Sequence, residues 1–152
     1  MLYLIIPVLI CGVDLFLKHY IECNVKEGDR FEVLHGRILI QKTHNTGAMM
    51  NLLDNRRKLV AGFSLGIFVC IVIYYGYLLS KKGMHLMKFG LSFVTGGALS
   101  NVYDRLVRKY VVDYFSFNIK NERIKKVVFN IADIFIFIGS IFVILWNACR
   151  KS

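Results

Sequence analysis

Two aspartates stand in apolar and aromatic surroundings, with no Lys or Arg within three positions of either one. Asp113 follows Val111-Val112, and Asp133 lies near the start of an apolar run. If the two side chains face each other in a low-dielectric site, they cannot easily both ionise, so one keeps a proton. An aspartic protease uses such a pair, because the ionised carboxylate activates water while the protonated one polarises the scissile carbonyl. A proton or cation relay in a small transporter would need the same carboxylates, so the residues alone leave both chemistries open.

Other polar side chains also lie in apolar segments, where a charge costs at least a few kcal/mol and is therefore a functional candidate. They fall on shared helix faces, at spacings of three or four residues. The sets are Asp14 with Lys18; Asn101 with Asp104 and Arg105; and Asn130 with Asp133. The structural alternative is that Asp14 pairs with Lys18, and Asp104 with Arg105, to hold helices together. The sequence favours neither this structural pairing nor a functional role over the other.

Neither a metal site nor a serine hydrolase is predicted. The four cysteines form no CxxC pair, and the four histidines form no ligand pattern. The two serines of the third apolar segment, Ser92 and Ser100, have no histidine near them in the sequence. A Ser/His nucleophile is therefore a poor hypothesis.

The elements that must position these residues are membrane helices. The chain has 152 residues, of which 56% are hydrophobic and 20% charged, with a mean hydropathy of +0.52. Apolar runs of about 20 residues are long enough to span a bilayer. They occur at about 2–19, 59–79, 86–107 and 128–148, and we predict one membrane domain over residues 1–152. The first run lacks a basic n-region and a cleavage site, which favours an uncleaved helix over a signal peptide. A soluble enzyme, a disordered tail and a disulfide-stapled module are excluded.

The connections between the predicted spans are uneven. With four spans, the long segments of about 20–58 and 108–127 fall on one side of the membrane. The first contains RFEVLHGRILIQ at 30–41, which predicts a hairpin, and the second contains VVDYFSFNI, which predicts extended chain. The polar sets then lie toward this same surface.

The net charge of +10 comes from basic residues that flank the apolar runs. This pattern favours anchoring at lipid headgroups over nucleic-acid binding. Counting these charges by the positive-inside rule would place the long segments in the cytoplasm.

In combination, the motifs resemble those of lipoprotein signal peptidase (signal peptidase II). Five blocks stand in the order of that family, between residues 14 and 133. They are Asp14-x-x-x-Lys18; Asn45-Thr46-Gly47-Ala48; the block from Gly96-Gly97 through Asn101 to Asp104-Arg105; Val111-Val112-Asp113-Tyr114; and Asn130-Ile131-Ala132-Asp133. Each block is weak alone, whereas five in order on four spans are specific.

The resemblance implies a mainly α, four-helix membrane bundle with a small extracytoplasmic β-rich cradle. It implies a bacterial aspartic endopeptidase that cuts diacylglyceryl-modified prolipoproteins before the lipidated Cys. The catalytic residues would be Asp113 and Asp133. Substrate-binding or supporting positions would be Asp14, Lys18, Asn45, Gly47, Asn101, Asp104, Arg105 and Asn130.

The resemblance also implies a setting and partners. The enzyme would be a monomer in the cytoplasmic (inner) membrane, in contact with membrane lipids, with no cofactor and with no nucleic acid as a partner. Both termini would be cytoplasmic and the active site near the outer face, which overrules the charge count. Globomycin-type inhibitors would bind it. The chain departs from the family at Ser100, Met49-Met50 and Ile134-Phe135, so we expect changes in the substrate groove but not in the reaction.

Overall fold

A computed structural model describes residues 1–47, 56–119, 125 and 127–150. Within them the chain forms four helices and three strands. In chain order these are α1 (Leu2–Asn24), β1 (Arg30–Val33), β2 (Ile38–Asn45), α2 (Arg57–Leu79), α3 (His85–Val107), β3 (Val111–Phe117) and α4 (Ile131–Arg150). The departures at Met49-Met50 and the last residue of the second block, Ala48, lie outside the described residues.

The helix α3 is the centre of the bundle, because it packs against α1, α2 and α4. Among the described helices, α1, α2 and α4 are long and apolar enough to cross a membrane, whereas α3 does not meet that measure of hydropathy. The hydropathy of α3 is lower because this central helix carries polar residues that contact other helices. Its polar residues, such as Ser100, Asn101 and Asp104, are buried against other helices instead of facing lipid.

Glycines let the helix backbones come close together. Gly90 of α3 and Gly139 of α4 face each other, and a Cβ added at Gly90 would lie 2.7 Å from the Gly139 carbonyl oxygen. Gly96 packs against Pro7 of α1, and Gly97 against the Ala132 carbonyl of α4. The pair Gly96-Gly97 therefore serves two helix crossings at once, as small residues do in membrane bundles.

The predicted hairpin and extended segment are confirmed, and they form one antiparallel sheet in the order β1-β2-β3. The hairpin turns through Leu34, His35 and Gly36, all at positive φ. Thr43 of β2 lies opposite Asp113 of β3, beyond an irregularity in the register. Phe129, just before α4, bridges to Phe115 and so attaches the approach to α4 to the sheet.

An apolar cluster holds the sheet on the end of α1. Ile21 and Val25 pack with Val112 and Tyr114 of β3. The helix reaches Asn24, past residue 19 where the sequence predicts the span to end, and this extra turn carries the contact. The strand that bears Asp113 is thereby fixed to the bundle.

Candidate active site

Asp133 belongs to a reciprocal cap at the start of α4. Asn130 precedes the helix, and its Oδ1 accepts from the Asp133 amide at 3.0 Å. The Asp133 Oδ2 in turn accepts from the Asn130 amide at 3.2 Å. This is the geometry of a capping box, with Asn and Asp in the positions of Ser/Thr and Glu. It places one carboxylate at the positive end of the helix dipole, where an anion is stabilised.

Asp113 reaches the same place from the sheet. Its Oδ1 accepts from Asn130 Nδ2 at 2.7 Å, and its Oδ2 from Asn45 Nδ2 at 3.0 Å. The Asp133 Oδ1 accepts from Asn101 Nδ2 at 2.9 Å. Asn130 therefore contacts both carboxylates, and within the described part of the chain every donor to them is a neutral amide.

A cleft of about 350 Å³ opens beside the two carboxylates. Asp113, Asp133 and Arg105 line its polar end, and Ile136, Phe137 and Ser140 of α4 line the rest. Phe137 is 67% exposed, so the cleft follows a helix face that is not covered by protein. The arrangement offers carboxylates at one end and an apolar channel along a helix at the other.

The environment of Asp113 favours its protonated form. Its side chain is only 4% exposed. Burial, and next the charge of Asp133, raise the pKa of Asp113 to about 7, against the opposing hydrogen bonds from Asn45 and Asn130. The pair can therefore hold one proton near neutral pH, as acid/base catalysis by two carboxylates requires.

A second carboxylate cluster lies beside the first, and its carboxylates form ion pairs with basic side chains. Lys18, Asp14 and Asp104 are all 0% exposed. The Lys18 ammonium lies 2.8 Å from Asp14 Oδ2 and 3.1 Å from Asp104 Oδ2. It also donates to Ser100 and Asn101. Lys18 therefore links α1 to α3, and the predicted pairing with Asp14 is present.

Asp14 also holds the first turn of α4. Its Oδ1 accepts from the Ala132 amide at 3.1 Å and from the Tyr114 hydroxyl at 3.2 Å. The Tyr114 oxygen accepts from the Ile131 amide at 3.0 Å. Together with the cap at Asn130, these bonds satisfy amides of the helix start that have no partner within the helix. Asp14 acts on the carboxylate pair through the position of α4.

Of the two pairings that the structural alternative offered, that of Asp104 with Arg105 is not formed. Asp104 pairs with Lys18 and lies 3.3 Å from Arg108, and it accepts from the Val112 amide. Adjacent residues on a helix point about 100° apart, so Asp104 faces the bundle interior while Arg105 lines the cleft. The Arg105 side chain is therefore available to the cleft.

The remaining predicted residue, Gly47, contacts the site indirectly. The Gly47 amide donates to Asn45 Oδ1 at 3.2 Å, which orients the Asn45 side chain toward Asp113. Ser100, Tyr114 and Arg108 were not predicted as supporting residues. Tyr114 ends the motif Val111-Val112-Asp113-Tyr114, but no spacing rule connects its hydroxyl to α1. Among the described residues, no group of His, Cys, Asp and Glu could hold a metal ion, and the four cysteines are free.

Two carboxylates that border one cleft in a bundle of long apolar helices fit the class of membrane-embedded proteases. The chain matches the family model of signal peptidase (SPase) II over residues 6–149. It is 30% identical over 148 residues to the lipoprotein signal peptidase of Clostridioides difficile, covering 96% of this chain and 94% of that protein. It is 34% identical over 145 residues to that of Lactobacillus johnsonii, covering 95% and 90%.

A solved structure described as a bacterial membrane enzyme superposes with a TM-score of 0.84 at 30% identity, covering 99% of this chain and 89% of that one. The chain belongs to the signal peptidase II family. It is a protease that removes signal peptides from prolipoproteins.

Proposed function

We propose that Asp113 and Asp133 are the catalytic pair and that they cut a diacylglyceryl-modified prolipoprotein before its lipidated Cys. The observation that carries this proposal is the shared contact with Asn130, which joins both carboxylates at one end of one cleft. Their partners are neutral amides, so neither charge is cancelled at contact distance among the described residues. A proton can therefore pass to and from the pair.

The two carboxylates have different roles. Asp133, at the start of α4, is the ionised member and takes a proton from water as its oxygen attacks the scissile carbonyl carbon. Asp113, protonated, gives its proton to the carbonyl oxygen, and a tetrahedral diol forms. Asp133 then passes its proton to the Cys nitrogen as the C–N bond breaks, and a diol hydroxyl returns a proton to Asp113. Water is consumed, and both carboxylates end in their starting states.

The surrounding residues divide into three groups. Asn45, Asn101 and Asn130 hold the carboxylates by the hydrogen bonds described above. Arg105 lines the cleft and would bind substrate carbonyl oxygens, because its guanidinium presents several donors. Asp14, Lys18, Asp104 and Gly47 are positioning residues.

The membrane setting is part of the proposal. The 23 residues of α3 give about 34 Å of helix at 1.5 Å per residue, enough to cross a bilayer core of about 30 Å, so α3 is the fourth span. The termini are cytoplasmic, and the sheet lies on the outer face of the cytoplasmic membrane. The lipid-facing part of the cleft, at Phe137 and Ser140, would receive the signal-peptide helix. The same cleft would take globomycin-type inhibitors, with the protein acting as a monomer without cofactor.

A gel-shift assay on purified protein in lipid tests this function. The substrate is a diacylglyceryl-modified prolipoprotein, and the variants are Asp113→Asn and Asp133→Asn. Each substitution keeps size but removes an acid/base group, so we expect a loss of at least about a thousandfold with the protein still folded. The matched control is Asp29→Asn, an exposed acid outside the site, which should keep full activity.

Two results would contradict the proposal. One is a variant of the pair that retains most of the rate. The other is wild-type protein that cuts an unlipidated precursor as fast as the lipidated one. Equal rates would mean that the sheet and the cleft do not select for the lipidated substrate. Proton flux through vesicles without cleavage would instead support the transporter alternative.

A further inference from the structure

A groove separates the start of α2 from the end of α3. It has a volume of about 590 Å³. Ala61 and Gly62 of α2 and Leu106 of α3 line its apolar part. The other lining residues are all basic, and they are Arg57, Lys58, Arg105 and Lys109. Arg105 also lines the cleft of the carboxylate pair, so the two spaces meet at this side chain.

The groove is open because α2 presents no large side chain to α3 there. At the opposite end of the two helices, Tyr75 and Leu78 of α2 form a buried cluster with Met87 and Leu91 of α3. At the groove, by contrast, a Cβ added at Gly62 would meet no atom within 4 Å. The helix α2 is long and apolar enough to cross a membrane. Since the bilayer core holds no water, lipid chains fill a space of this kind.

The basic side chains lie at the level of the lipid headgroups. Lys58 belongs to the first turn of α2, and Lys109 follows the end of α3, which are positions at the membrane surface. Lys109 Nζ donates to the Leu106 carbonyl at 2.5 Å, which keeps its stem beside the groove. Arg108, at the same end of α3, is paired with Asp104.

The groove cations differ from Arg108 in having no such partner. Within the described part of the chain, none of them forms an ion pair with an acid, and no acid lines the groove. Their positive charge is therefore available to an anion from outside the protein. At a membrane surface, the phosphate of an anionic phospholipid is such an anion.

We propose that this groove binds one phospholipid with a negatively charged headgroup. Its phosphate would meet Lys58, Lys109 and Arg57, and one acyl chain would lie against Gly62 between the helices. The diacylglyceryl group of the substrate carries no phosphate, so the charge of the groove favours a phospholipid as the occupant. A zwitterionic phospholipid has the same chains, but its ammonium group opposes the groove cations. The inference does not depend on the catalytic roles proposed above.

The first test compares two headgroups on the same acyl chains. Full-length protein in detergent is titrated with dioleoylphosphatidylglycerol or dioleoylphosphatidylcholine, and bound lipids are counted by native mass spectrometry. We expect the first phosphatidylglycerol to bind at least about tenfold more tightly, and Lys58→Gln or Lys109→Gln to weaken it about fivefold each. The difference should shrink as salt rises. The control is Lys26→Gln, an exposed lysine outside the groove, which should bind as the wild type does.

The second test fills the groove without changing its charge. Gly62→Leu adds a side chain where the protein leaves open space, so the variant should fold and should lose affinity for phosphatidylglycerol. The matched control is Gly76→Leu, further along α2, where an added Cβ also meets no atom within 4 Å. Both variants change helix propensity by the same amount. The control should bind phosphatidylglycerol as tightly as the wild type does.

Three results would overturn the inference. One is equal affinity of the wild type for the two phospholipids. Another is a folded Gly62→Leu variant that binds phosphatidylglycerol as the wild type does. The third is equal binding of the two phospholipids together with slower prolipoprotein cleavage by Gly62→Leu, which would assign the groove to the diacylglyceryl group of the substrate. All three leave the proposed function standing, since that function is tested by cleavage with Asp113→Asn and Asp133→Asn.

Discussion

The two carboxylate clusters differ in what faces the negative charge. Asp14 and Asp104 meet the Lys18 ammonium within 3.1 Å, in a place closed to solvent. Asp113 and Asp133 meet side-chain and backbone amides and border a cleft. A carboxylate paired with a buried cation ties helices together. A carboxylate held by neutral donors is oriented and can still exchange a proton.

Asn101 connects the two clusters. Its Oδ1 accepts from Lys18 at 2.8 Å and from Asn130 Nδ2 at 3.2 Å, and its Nδ2 donates to Asp133. The cluster around Lys18 therefore orients an amide that contacts the proposed catalytic pair, and Lys18 itself does not contact that pair. Changes in the first cluster should alter stability most, and changes in the second should alter the reaction.

Removing the central cation should have the largest effect on stability. Lys18→Met leaves Asp14 and Asp104 buried without their shared cation, and breaking a buried pair in this way costs about 3–5 kcal/mol. We expect a marked fall in Tm in detergent. Lys26→Met, an exposed lysine just beyond α1, should change little. Adding Asp104→Asn to Lys18→Met should recover part of the loss, and a double variant less stable than the single one would contradict this account.

The pH dependence should separate the catalytic cluster from the structural one. In the proposed mechanism the reaction requires protonated Asp113, whose pKa is raised from 3.8 to about 7, so activity should fall as the pH rises through about 7. Stability has a related dependence. At pH values between 3.8 and about 7, Asp113 is protonated in the native state and ionised in the unfolded state. Its contribution to the free energy of unfolding therefore falls as the pH rises from about 4 to about 7.

Asp113→Asn should therefore be inactive and yet have a higher Tm than wild type at pH 8. Measurements of Tm against pH for both proteins check this. A Tm for Asp113→Asn below that of wild type at pH 8 would show that the carboxylate stabilises the fold instead.

Removing one amide donor should have a smaller effect. Asn45→Ala deletes the hydrogen bond to Asp113 Oδ2, which costs about 1 kcal/mol or about fivefold in rate. Because that bond lowers the pKa of Asp113, its loss should move the alkaline limb of the rate profile to higher pH. A loss of rate with an unmoved limb would mean that Asn45 only contacts substrate.

The smallest effect on activity is expected at the link between the clusters and the sheet. Tyr114→Phe removes a hydroxyl that bonds Asp14 and the Ile131 amide, and should cost about 1–2 kcal/mol of stability. Activity should fall only a few-fold, since Asn130 still caps α4. Tyr103→Phe, in an exposed tyrosine of α3, is the matched control. A loss of activity as large as that of Asp113→Asn would place Tyr114 in the reaction.

The sequence predicts much of this architecture but not its contacts. Long apolar runs and alternating residues locate the helices, the hairpin and β3, because each of these elements is determined largely by its own local sequence. Lys18 bonding to Asp104, and Asp104 turning away from Arg105, depend on how α1 and α3 rotate against each other. Tyr114 reaching Asp14 depends on where β3 docks. Such contacts join residues 82 to 100 positions apart, which no spacing rule connects.

The close approach at Gly97 limits which sequences can keep this enzyme working. Gly97 packs on the Ala132 carbonyl, next to Asp133, and Asn101 lies one turn further along α3. A single methyl group there would push the start of α4 away from Asn101 and separate the two carboxylates. The positions of Asp133 and Asn101 therefore depend on a residue that has no side-chain functional group.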